Sequence, residues 1–134
     1  MRRTPNTTGG KLSQYPNEGS CMDTQAFAEW LDSLSLSNKI RALALVYSEM
    51  TVYTRQLFLP DMPKGKEKII LDMLYGVNEI HHTLANYLLR YTHNEEDWPP
   101  QVLSQQLVEI ANQYRIGGFL KPAIEFAQSR NWTP

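Results

Sequence analysis

Glu79-Ile80-His81-His82 holds more potential chemistry than any other short stretch of this chain. Glu79 and His82 stand at the Glu-x-x-His spacing of di-iron bundles, where a carboxylate and an imidazole three residues apart reach one metal. Such centres use the spacing twice and add further Glu ligands, whereas this chain shows it once. One pair of ligands rarely holds a metal. Helical phase also works against the pair, since Glu79 falls opposite the apolar face and His82 lies roughly 60° from it. No metal site is assigned. His81 has a different phase, between Val77 and Leu84 on the apolar face. A buried histidine needs a hydrogen-bond partner. His81, Tyr47 and Tyr114 are therefore a candidate ligand-binding group, with a satisfied core histidine as the simpler expectation.

The other candidates are weaker. Gly9-Gly10-Lys11-Leu12 fails the phosphate-loop pattern, because Pro5 and Leu12 occupy the places of a required Gly and a required Ser or Thr. Lys64, Lys66 and Lys68 cluster where a long helix should begin. The N–H groups of a helix start attract anions, so the three lysines are a candidate anion-binding knob. Lysines there also oppose the helix dipole by ~0.3–1 kcal/mol each, and a solvated lysine-rich loop is the simpler account. A nucleic-acid role would draw on the same lysines and Arg55, but aromatic residues are not interleaved with them. Thirteen basic residues against fourteen acidic ones leave a net charge of -1, without the basic excess of a dedicated nucleic-acid binder. The acidic run Glu95-Glu96-Asp97 reads as a solvated turn that could also attract a basic partner. The single cysteine, Cys21, has no obvious base beside it and cannot form an internal disulfide. With no nucleophile, no cofactor motif and no paired acids, the balance falls against an enzyme.

These residues need elements to position them. A chain of 134 residues suits one domain with a real core. Residues 1–21 read as a flexible tail, with Pro5, Gly9, Gly10, Pro16 and Gly19 scattered among polar residues and no apolar period. The domain is expected over residues 22–134. The longest wholly apolar run, about 42–47, is far short of the roughly 20 residues of a spanning helix. Arg2 and Arg3 have no apolar segment behind them, so no export signal is read and a cytoplasmic setting is expected.

The apolar spacing predicts five helices. The first covers 24–34, with Asp23 as N-cap, Met22 and Phe27 as a hydrophobic staple, and Phe27, Trp30, Leu31 and Leu34 as its buried stripe. The second starts at a Ser35 or Ser37 cap, runs to about Phe58, and carries Ile40, Leu43, Ala44, Tyr47, Met50, Thr54 and Leu57 on one face. Leu45, Val46, Val52 and Tyr53 lie on its other sides. The third and longest, 66–92, sets Ile70, Met73, Leu74, Val77, Ile80, Leu84, Leu88 and Tyr91 at alternating three- and four-residue steps. Leu71, Tyr75, His82 and Leu89 form a second stripe on it, and Gly76 sits mid-helix. The fourth starts at Pro99-Pro100 and stops at Gly117-Gly118 as a C′ pair. The fifth spans about 119–129, with Pro122 in its first turn and Trp132 folding back as a plug.

The fold expected is all-α, an antiparallel up-and-down bundle of four helices plus a short C-terminal fifth. The second and third helices carry more apolar surface than a small monomer easily covers. A homodimer, or a docking surface for another protein, is the reading that follows. The partner-binding candidates are Leu45, Val52, Leu71, Tyr75, His82 and Leu89. The chain is thus expected to be a small non-enzymatic interaction protein of the regulator, adaptor or inhibitor type. The runner-up is a small-ligand or metal-binding bundle centred on His81 and its tyrosines, and the third reading is the nucleic-acid-binding regulator.

Overall fold

The computed structural model describes residues 23–56, 64–93 and 98–133. The expected tail, the Met22 staple, Cys21, Leu57, most of the loop after the second helix, and the acidic run at 95–97 lie outside the described residues. Within them the chain forms five helices and no strand: α1 (Thr24–Asp32), α2 (Leu36–Gln56), α3 (Glu67–Thr92), α4 (Pro100–Gln113) and α5 (Gly117–Gln128). The all-α class follows from the 3.6-residue apolar period and from the absence of alternating stretches.

Local signals explain most of the boundaries. Asp23 caps α1 by accepting a hydrogen bond from the Ala26 backbone N–H at 3.0 Å, which satisfies one of the donors a helix start leaves open. The Asn38 N–H donates to Ser35 Oγ at 3.3 Å, so Ser35 caps α2. Pro100 opens α4, where its lacking N–H would have no partner anyway. The end of α4 differs from the sequence expectation. The helix stops at Gln113, and Arg115, with φ 61°, takes the left-handed position expected of Gly117. Ile116 N–H then bonds the Ala111 carbonyl at 2.8 Å and Arg115 N–H bonds that of Asn112 at 3.4 Å, the two bonds of a Schellman turn. Gly117 and Gly118 open α5 instead. Pro122 consequently stands in the second turn of α5 rather than the first, where it cannot donate back to the Gly118 carbonyl.

Each helix buries one stripe. Phe27, Leu31, Leu43, Val46, Met50, Met73, Ile80, Leu103, Leu107, Ile116, Leu120 and Ala123 meet in a single core. On α3 the buried positions are Ile70, Met73, Gly76, Val77, Ile80, Leu84 and Tyr87. Relative to the sequence expectation this stripe is rotated: Leu74 and His81 are exposed, while Tyr87 and Gly76 are inside; Tyr91, in phase with Met73, is exposed at the end of the helix. On α2 the same kind of rotation places Val46 in the core and leaves Ile40 and Ala44 exposed. A helix with apolar residues on several sides has several near-equivalent phases, and its neighbours select one.

The packing is not purely sequential. α1 lies mainly on α4, tied there by the Ser104 hydroxyl, which donates to the Thr24 carbonyl at 3.2 Å. α2 lies most extensively along α5 and also on α3, and α3 spans between α2 and α4. Trp132 does fold back: its Nε1 donates to the Ala127 carbonyl at 2.7 Å, and its ring sits 6.4 Å from that of Trp30. The Asn38 side-chain amide donates to the Thr133 carbonyl, which closes the C-terminal segment over the start of α2.

Candidate interaction surface

The outward side of α3 follows from the phase of its core stripe. With Ile70, Met73, Val77, Ile80, Leu84 and Tyr87 facing inward, the row Leu71, Tyr75, Asn78, His82, Ala85, Leu89 points about 150° away from them. All six are exposed, and the three large apolar members expose 48% (Leu71), 55% (Tyr75) and 55% (Leu89) of their surface. One flank of the row is polar, with Glu79 and Asn86 exposed and Asp72 half-buried. The other flank is Leu74 and His81, both exposed, and leads towards α2.

That junction with α2 is aromatic. The His81 ring lies 4.5 Å from the Tyr47 ring and 5.7 Å from that of His82. His81 is thus a surface residue packed on Tyr47, and the expected core histidine is corrected. It falls on the exposed rim of α3 because Val77, Ile80 and Leu84 already fill the inward phase. Tyr114 does not join the pair. It packs on the opposite flank of α3 against Gly76, and lines a cleft of about 430 Å³ with Lys68, Ile69, Asp72, Gln113 and Arg115. The proposed ligand group of His81, Tyr47 and Tyr114 is therefore not assembled in one place.

The remaining candidates are also dispersed. Val52 is exposed on α2, whereas Leu45 is half-buried and packs against the core. Lys68 projects into solvent and pairs with Asp72 one turn on, at 3.6 Å. Lys64 is exposed, and Lys66 is the half-buried residue preceding α3, with no side-chain bond to the helix start. Glu79 and His82 are both exposed, and among the described residues no three His, Cys, Asp or Glu come together. No helix is long and apolar enough to cross a membrane among these residues.

One cluster escaped the sequence reading. Lys39 is fully buried near the start of α2, its Nζ 4.7 Å from the centre of the Tyr91 ring and without a hydrogen-bond acceptor among the described residues. Tyr87 stacks 6.2 Å from Tyr91 and lies 5.8 Å from Trp98, and its buried hydroxyl also has no partner among them. Burial pushes the Lys39 ammonium below its ordinary pKa, with the Asp32 carboxylate pulling the other way. Burial pushes the Tyr87 phenol up to about 12, with smaller contributions from Tyr91 and Asp32. A signal was present, since Lys39 shares the phase of Leu43, Val46 and Met50, which are among the buried residues of its helix. Lys39 and Tyr87 are its buried members, while Tyr91 is exposed and Trp98 half-buried.

Comparison with family models, curated proteins and solved structures finds no match to this chain.

Proposed function

We propose that this chain is a small non-enzymatic interaction protein that works through the outer face of α3, as a homodimer. Support comes from one observation above the rest: Leu71, Tyr75 and Leu89 stay about half exposed on one row of a helix whose opposite side builds the core. Large apolar side chains scattered singly need no explanation, but a row at helical spacing, extended by Leu74, is the form an associating helix takes. Single-cysteine usage fits a cytoplasmic setting, which belongs to the same proposal. A regulator, adaptor or inhibitor acts through surfaces of this kind.

The test is light scattering coupled to size exclusion over a concentration series. The proposal expects twice the subunit mass at high concentration, and a return to the single mass in a Leu71→Lys, Tyr75→Glu variant that keeps its helical circular dichroism. An unaltered chain that stays monomeric at every concentration removes the homodimer.

A further inference from the structure

Thr83, Asn86 and Arg90 follow one another at three- and four-residue steps, so they share one flank of α3. Together with Leu89, Trp98 and Gln106 of α4 they line a cleft of about 530 Å³. That volume falls within the range of small-molecule sites, about 300–1,000 Å³. Trp98 is its braced wall. The indole ring lies 5.8 Å from the ring of buried Tyr87, and the Arg90 guanidinium stands 5.6 Å from the indole centre. Stacking on an aromatic face orients the planar guanidinium while its N–H edge remains able to donate. The cation is therefore positioned before a ligand arrives, which lowers the ordering cost of binding.

The other polar groups of the cleft have capacity to match. Thr83, Asn86 and Gln106 have no side-chain hydrogen bond among the described residues, and no described carboxylate pairs with Arg90. No acidic side chain is among the six that line the cleft. Glu79, the nearest acid on the same flank of α3, stands about 16 Å from Arg90 along the axis at 1.5 Å per residue. From these groups we infer that the cleft binds a small organic monocarboxylate whose body carries hydroxyl or amide groups. Arg90 holds the carboxylate through two parallel N–H···O bonds. A single cation suits a single negative charge, whereas a phosphate dianion would call for more. The Thr83 hydroxyl and the Asn86 and Gln106 amides each donate and accept, so they meet the hydroxyls or amides of the ligand. Leu89 and the indole cover its carbon atoms. Only Leu89 is shared with the exposed row of α3, so the inference stands whether or not the chain dimerises.

Such a carboxylate belongs either to a free hydroxy acid or to the carboxyl end of a peptide. Calorimetric titration of the full chain at constant ionic strength, with tryptophan fluorescence as a second readout, separates the two. Gluconate serves as the free hydroxy acid, acetyl-dialanine as the peptide end, and acetyl-dialanine amide as the same body without its charge. The inference expects saturable binding of at least one acid and none of the amide. Arg90→Met should weaken that binding at least about tenfold, and Arg90→Lys, which keeps the charge but not the fork, should fall between. Binding of gluconate alone assigns the free acid, and of acetyl-dialanine alone the peptide end; each supports the inference. Lack of saturable binding by both acids overturns it, as does an amide that binds as tightly as its acid. So does an affinity unchanged in Arg90→Met. Arg90 is exposed, and circular dichroism checks that both variants are folded.

Discussion

Tyr114, the residue that ends α4, packs directly on Gly76 in the middle of α3. A Cβ built at Gly76 would overlap Tyr114 Cβ and stand 2.8 Å from its Cγ and 3.0 Å from Ile116 Cδ1. The glycine is what lets the C-terminal turn of α4 close on α3. Ala ordinarily gains about 1 kcal/mol over Gly inside a helix. Here the added methyl meets a Cβ that moves only with its backbone, and overpacking of that kind costs about 1–3 kcal/mol. Gly76→Ala should therefore lower stability despite the better helix former, as a reduced urea midpoint with unchanged slope. A higher midpoint would show that the two helices do not approach closely in solution.

Much of the fold was legible and the rest fails for identifiable reasons. The cap at Asp23 and the Pro100 start depend on local chemistry, and both are observed. Phase on α2 and α3 was less determined. Leu74 fits the apolar period as well as Tyr87 does, and only the positions of α2 and α4 decide which of them turns inward. The α4 end was misplaced because Gly117-Gly118 is the expected stop, while the turn is made by Arg115 at φ 61°. Of the candidate surface, Leu71, Tyr75, His82 and Leu89 were found from spacing and are exposed together, but Asn78 and Ala85 complete the row and were passed over as polar or small. Lys39 was missed because a lysine in an apolar phase is usually read as a solvated neighbour.

The left-handed Arg115 gives a simple prediction. A non-glycine residue in that conformation costs about 1–2 kcal/mol relative to the right-handed one. Gly relieves the strain but adds freedom to the unfolded chain and removes the arginine side chain, so the net effect is smaller. Arg115→Gly is expected to raise stability by up to about 1 kcal/mol, read as a melting temperature a few degrees higher. Arg115→Val, β-branched, should move it in the opposite direction.

Lys39 buries an ammonium that has a ring face but no acceptor among the described residues. Contact with the Tyr91 face returns about 0.5–2 kcal/mol, less than the desolvation of an unpaired charge. Lys39→Met keeps the length of the side chain and removes the charge. It is expected to stabilise the fold by about 1–4 kcal/mol, the range seen when buried charges give way to packed apolar groups. Equilibrium denaturation at neutral pH checks the sign; a clear loss would mean that the ammonium has an acceptor in solution.

The same cluster sets an alkaline signature. The Tyr87 phenol is pushed up to about 12 from its ordinary 10, so the folded chain keeps a proton that the unfolded chain releases. The folded state then binds more protons across that window, and stability falls as pH rises from 10 towards 12. Lys39 acts in reverse. Its pKa is lowered from 10.5, so the unfolded chain holds the extra proton and stability rises as pH approaches that value. In Lys39→Met the rise should vanish and the fall remain, while Tyr87→Phe should reduce the fall to what Tyr53, also pushed up by burial, contributes. Denaturation midpoints taken from pH 8 upward would show both; superimposable profiles for the three chains would mean that neither group is buried as described.

Two faces of one helix should respond to substitution in opposite ways. Ile80 is fully buried, whereas Tyr75 is more than half exposed on the far side of α3. Ile80→Ala removes packed methyl groups and leaves a cavity, at about 2–5 kcal/mol. It should lower the midpoint without changing how the surviving folded molecules associate. Tyr75→Glu removes little that the monomer uses, so the stability of the isolated subunit should stay within about 0.5 kcal/mol. In the proposed homodimer it would place a carboxylate on the associating face, and desolvating it there has no compensation. Sedimentation velocity should therefore show a dissociation constant at least tenfold weaker for Tyr75→Glu. Equal weakening by Ile80→Ala would mean that association tracks folding rather than the α3 surface.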